Sequence, residues 1–178
     1  DKFLKDDEYN NFRLELGMHV GTHIDTPMHM TEKETFINEI PLSNFIGNGC
    51  LLDVRGEDVI GYKTEYEQIV NEGDIVLLLT GHSDKYGSEE YYTDQPVVDR
   101  ELAEFLVEKN IKILGVDMSS PDEYPFEVHK ILFDNDIFII ENLTNLSELL
   151  TIDNFEVMAF PLKIKADASM VRVVAKKL

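Results

Sequence analysis

Along residues 12–20 apolar and polar side chains alternate, with Phe12, Leu14, Leu16, Met18 and Val20 on one parity and Arg13, Glu15, Gly17 and His19 on the other. Period two marks a strand with one buried face. The stretch predicts a strand that runs into a loop near Gly21, with His19 on its polar side. Four apolar runs of strand length follow, at residues 50–54, 75–80, 111–117 and 137–140, and residues 75–80 are the clearest candidate for a central strand. Helical spacing lies between them. Asp99 predicts the N-cap of a helix reaching Lys109, with Leu102, Phe105 and Leu106 inward. A shorter helix is predicted over residues 63–71, with Tyr66, Ile69 and Val70 inward, before Gly73 and Asp74 stop it. Residues 31–39 and the tyrosine-rich stretch 89–95 read as exposed loops. DMSSPD, residues 117–122, reads as a turn built from two aspartates and two serines. Helix alternating with apolar strand predicts an α/β protein.

Composition narrows the class. With 178 residues and 43% hydrophobic content, the chain suits a single domain with its own core, or one subunit of an oligomer. It carries 16 basic and 35 acidic residues, a formal charge of −19, so a nucleic-acid backbone or an anionic membrane would be repelled. The acidity reads as a solubilising surface. Cys50 is the only cysteine, which excludes an internal disulfide and fits a reducing cytoplasm; its apolar neighbours Leu51 and Leu52 make it a core thiol. No apolar run has membrane-spanning length.

The chemistry concentrates in HVGTHIDTPMH, residues 19–29, which holds three of the five histidines together with Asp25. On an extended chain His19, His23, Asp25 and His29 share a face, because all four numbers are odd. Residues four apart on a straight strand are about 13 Å apart, too far for two imidazoles to reach one ion at about 2.1 Å. The chain must therefore bend between His19 and His23, and Gly21 stands at that point. Pro27 stiffens the turn that delivers His29. These groups on one face predict a metal site.

HVGTHIDTPMH also resembles the motif His-x-Gly-Thr-His-x-Asp-x-Pro-x-His of the cyclase-like metal hydrolases, a family that includes bacterial kynurenine formamidases. All seven fixed positions are present, as His19, Gly21, Thr22, His23, Asp25, Pro27 and His29. Downstream, HKILF from His129 and IIEN with Glu141 resemble the family's second metal-binding half, and FPLKIKADASMVRVVA resembles its closing strands. The resemblance implies a mixed, barrel-like sheet with peripheral helices. It implies that His19, His23 and Asp25 hold one ion, and that a bridging Asp25 with His129 and Glu141 holds a second. Zn²⁺ suits these ligands, and Mn²⁺ remains open. The implied reaction is attack of a metal-activated hydroxide on a small-molecule amide, with His29 as general acid/base. N-formylkynurenine is the leading substrate, and other cyclic amides or lactones are alternatives. Relatives are homodimers or larger homo-oligomers and carry a further N-terminal segment, so part of the natural chain is expected to be missing here.

Other readings stay open at this level. His82 stands where many relatives have a tryptophan, and is either a substrate contact or a loop residue without a role. His23, Asp25 and His129 also fit the two-histidine, one-carboxylate set of a non-haem iron oxygenase, which leaves His19, His29 and Glu141 unused. A metal-stabilised binding protein without catalysis is the third reading.

Overall fold

The computed structural model describes residues 8–178. Among these residues ten strands are formed: β1 (His23–Asp25), β2 (Ile46–Asp53), β3 (Val59–Ile60), β4 (Ile75–Leu79), β5 (Val97–Val98), β6 (Ile113–Val116), β7 (Phe138–Glu141), β8 (Phe155–Met158), β9 (Ala168–Met170) and β10 (Val174–Lys177). Three α-helices accompany them among the described residues, α1 (Glu90–Thr93), α2 (Arg100–Glu108) and α3 (Glu127–Asp134). Eight strands make one mixed sheet in the order β10-β8-β2-β4-β6-β7-β1-β9, while β3 and β5 pair separately. The centre, β2-β4-β6-β7, is parallel, and the flanks are antiparallel. The sheet curls as a half-barrel, the mixed α/β architecture expected from the sequence.

Parity explains why the apolar runs form the centre. Along β4, Val76 and Leu78 face a core shared with α2 and α3, while Ile75, Leu77 and Leu79 face the other core with Phe45, Phe138 and Phe155. A parallel strand covered on both faces needs apolar residues at every position, and β4 supplies them. Helix α2 closes the first core with Leu102, Ala103, Phe105 and Leu106, and begins as expected at Asp99, whose side chain accepts from the Leu102 N–H at 2.8 Å. No helix among the described residues is long and apolar enough to cross a membrane.

Three local expectations are corrected. Residues 12–20 form no strand of the sheet: Phe12 and Leu14 are 71% and 73% exposed, and the first strand of the sheet is His23–Asp25. Alternation yields a half-buried strand only where a core receives its apolar face, and here the core takes the chain after Gly21. The helix over 63–71 is a 3₁₀ turn, Thr64–Gln68, with Tyr66 and Val70 inward but Ile69 outward; its β-branched and aromatic residues disfavour a longer α-helix. The loop at 89–95 contains α1, with Tyr91 fully buried.

Candidate metal centre

Strand β1 is three residues long and wedged between β7 and β9. Its register sets His23 opposite Glu141 and Asp25 opposite Ile139, and directly opposed side chains share a face. This brings His23 Nε2 to 3.4 Å from Glu141 Oε2 across 118 residues of sequence. Asp25, on the same face, places Oδ1 3.4 Å from His23 Nε2. Gly21 turns the chain with φ of +63°, in the left-handed region that glycine adopts without strain. Its carbonyl accepts from His23 Nδ1 at 2.7 Å, which leaves the Nε2 lone pair of neutral His23 facing the carboxylates. His19 reaches Asp25 from before the turn, with Nδ1 2.9 Å from Oδ1.

The remaining groups come from distant elements. Helix α3 carries His129 on its buried side, with Nε2 3.5 Å from Glu141 Oε1. Its Nδ1 donates to Asp122, which also accepts from the Val128 N–H at 2.7 Å and so ties the ring to the helix start. His29 ends the 3₁₀ turn Pro27–His29, and its Nδ1 lies 3.0 Å from Asp167 Oδ2. The same oxygen is 3.0 Å from His19 Nε2.

Among the described residues three overlapping donor sets result, each with one atom per residue lying within 4.8 Å of the others: His19, His23 and Asp25; Asp25, His129 and Glu141; His19, His29 and Asp167. Asp25 belongs to the first two. His23, Asp25, His129 and Glu141 are buried, whereas His19, His29 and Asp167 border solvent. Among the described residues, two buried atoms at the centre, His23 Nε2 and Asp25 Oδ1, make no hydrogen bond of good geometry, although the oxygen has the His19 ion-pair contact at 2.9 Å. A buried, unbonded imidazole nitrogen beside a carboxylate oxygen whose near neighbour is the His19 imidazole is costly by itself and suits a shared cation. The donors fit a metal.

Electrostatics follow the crowding of acids around imidazoles. Asp25 beside His19, with Asp167 behind it, outweighs burial and pushes His19 up to about 9. Burial works against charge on His129, but Asp122 and Glu141 carry it up to about 9. His23 is raised in the same way, burial being outweighed by Glu141, Asp25 and the Gly21 carbonyl. Conversely, burial would raise Glu141 and Asp167, yet the histidines bonded to each hold them below the usual carboxylate range.

The six residues expected from the sequence, His19, His23, Asp25, His29, His129 and Glu141, thus lie in one contiguous cluster. Three others were not singled out. Asp167 lies in the quoted ADAS segment, where nothing local marks it. Asp122 was read with Asp117 as part of a turn. Asp117 instead ties the end of β6 to the loop after β4, accepting from the Thr80 and Gly81 N–H groups at 2.9 Å each, and Asp122 orients His129. Thr26 donates through N and Oγ1 to the Asp167 carbonyl at 3.1 and 2.7 Å. His82 belongs elsewhere: it is buried, donates from Nε2 to the Tyr91 carbonyl at 3.0 Å, and stacks on the Tyr91 ring, fastening α1 to the end of β4.

Known proteins share this framework. Residues 3–123 match the family described as putative cyclase. Kynurenine formamidase of Bacillus cytotoxicus is 31% identical over 171 residues, covering 93% of this chain and 79% of that protein, and the Bacillus mycoides enzyme of the same name is 33% identical over 171 residues with the same coverage. Among solved structures, a potential metal-dependent hydrolase with cyclase activity superposes with a TM-score of 0.76 at 29% identity, over 93% of this chain and 82% of that one. Isatin hydrolase A from Labrenzia aggregata superposes with a TM-score of 0.77 at 26% identity, over 88% and 72%. With the family match spanning most of its length and relatives above 30% identity over most of theirs, the chain belongs to the putative cyclase family.

Proposed function

We propose that this protein is a metal-dependent hydrolase of C–N bonds that cleaves N-formylkynurenine to formate and kynurenine. The observation that carries the reading is the buried His23 Nε2, unbonded beside two carboxylates, set where two three-donor groups share Asp25. His19, His23 and Asp25 would hold one ion, and Asp25, His129 and Glu141 a second. Neutral imidazoles mixed with carboxylates favour Zn²⁺, with Mn²⁺ the alternative. Lewis acidity, available when metal is bound, polarises an amide carbonyl and brings the ionisation of water to around pH 7.

The chain's own residues do the rest. His23 is held by the Gly21 carbonyl and His129 by Asp122, so each presents Nε2 to the centre. His29 is bonded at Nδ1 to Asp167, so its Nε2 takes the proton from attacking water and returns it to the amide nitrogen as the C–N bond breaks. The kynurenine formamidases at 31–33% identity support the formamide substrate. The isatin hydrolase structures support a second reading, opening of a cyclic amide. An iron oxygenase with three protein ligands would leave His19 and Glu141 idle inside the same cluster. A homodimer or larger homo-oligomer is the proposed assembly, which light scattering would read. The lone cysteine, Cys50, supports a cytoplasmic location.

The test is turnover of N-formylkynurenine and of isatin by protein loaded with zinc, loaded with manganese, or stripped by chelator. Formate release that disappears on stripping and returns on reloading is the expected result. Turnover of isatin alone would favour the second reading, and a chain that binds no metal would end both.

Loading should also show in protons. In the metal-free chain His19 and His129 keep a proton up to about pH 9, above the ordinary imidazole value of about 6.5. With the folded values raised, the stability they contribute is complete below about pH 6.5 and is lost as pH rises through about 9. Metal requires both rings neutral. Zinc binding near pH 7.5 should release protons from both rings, with the raised His23 adding to them, and apparent affinity should climb with pH towards about 9. Calorimetry in buffers of different protonation enthalpy counts them; no release would remove these imidazoles from the ligand set.

A further inference from the structure

Asp167 meets two imidazoles through one oxygen. Its Oδ2 lies 3.0 Å from His19 Nε2 and 3.0 Å from His29 Nδ1. A carboxylate oxygen accepts, so both ring nitrogens donate to it. A neutral imidazole has a single N–H, so the bond to Asp167 leaves the lone pair of His29 on Nε2. In His19, Nδ1 also meets an acceptor, Asp25 Oδ1, so the metal-free ring donates from both nitrogens. Once metal binding requires a neutral ring, the Nε2 bond to Asp167 makes Nδ1 the lone-pair nitrogen. The nitrogen so exposed in His19 is the one 2.9 Å from Asp25 Oδ1, inside the donor set. In His29 it is the nitrogen turned away from Asp167.

The carboxylate is not placed by chance of a loose loop. Its residue immediately precedes β9, which pairs with β1 so that Ala168 stands opposite Asp25. The Asp167 carbonyl is fixed by both donors of Thr26, the residue after Asp25. The two rings it serves lie with centroids 4.0 Å apart, close enough that one carboxylate reaches both.

We infer that Asp167 is a positioning residue that fixes His19 and His29 in complementary tautomers, so that one imidazole faces the metal centre and its neighbour is left to carry the proton. The roles of the two histidines rest on the hydrolase reading above; the tautomers do not.

The experiment is nitrogen-resolved NMR of protein labelled at histidine, with the Asp167→Asn variant beside wild type, together with zinc titration and kinetics at saturating zinc. In wild type His29 should appear as the Nδ1–H tautomer and zinc-loaded His19 as the Nε2–H tautomer. In Asp167→Asn, His29 should populate both tautomers, the zinc Kd should weaken by about 10- to 100-fold, and kcat should drop at least about tenfold with KM within about twofold. Thr26→Val, which keeps the carboxylate but removes one anchor, should show the same changes to a smaller degree, about threefold in kcat, and serves if Asp167→Asn does not fold. His29 in the Nε2–H tautomer in wild type, or tautomers and zinc affinity unchanged in the variants, would overturn the inference. Tautomers as expected in a protein without amide turnover would support the assignment and count against the hydrolase reading alone.

Discussion

Asp25→Asn is expected to abolish metal binding and turnover together. Asp25 is 1% exposed, sits in both buried donor sets, and has Oδ1 in ion-pair contact with His19. An amide is close in shape to the carboxylate but brings no negative charge, and a neutral oxygen cannot offset two cations at once. Its NH₂ would also point a donor at a site that asks for lone pairs. Loss of several kcal/mol of transition-state stabilisation corresponds to roughly a 10³-fold or greater fall in kcat/KM. Metal per chain by elemental analysis and kcat/KM on the same preparation check this, with near-UV circular dichroism to show that packing persists. A variant that keeps its full metal content while losing activity would contradict a bridging role.

His29→Ala has the second-largest expected effect, and it differs in kind. The fold should keep its metal and lose about 10²–10⁴-fold in kcat, the range for removal of a general acid/base. His29 stands apart from the buried donors, on the turn that follows Thr26, and is tied to Asp167 rather than to Asp25 or Glu141. The geometry also offers a competing role, because His19, His29 and Asp167 form a donor set of their own. Metal stoichiometry separates the two: loss of one ion per chain in His29→Ala would make His29 a ligand, and unchanged turnover would remove it from the chemistry.

Legibility in the sequence varied with how local each determinant was. Residues 75–80 could be read as a central strand because unbroken hydrophobicity reports burial on both faces wherever the strand is placed. The helix after Asp99 was equally readable, its cap and apolar stripe lying within one short segment. The alternation at 12–20 misled, since period two records only that one face could be buried. Where the described chain leaves the surface is decided at Gly21 and by the slot between β7 and β9.

The centre shows the same division. His19, His23, Asp25 and His29 fall within eleven residues, so their chemistry and the bend at Gly21 were determined by the sequence alone. His129 and Glu141 entered as ligands through likeness to a family. What the tertiary structure decided is partnership. His23 meets Glu141 through the register of β1 on β7, His129 is aimed by Asp122 at the start of α3, and Asp167 reaches His19 from 148 residues away. A short motif fixes the donors because neighbouring residues share one stretch of backbone. Their tautomers, charges and common focus depend on strand register and helix placement, and those are set by the packing of the whole sheet.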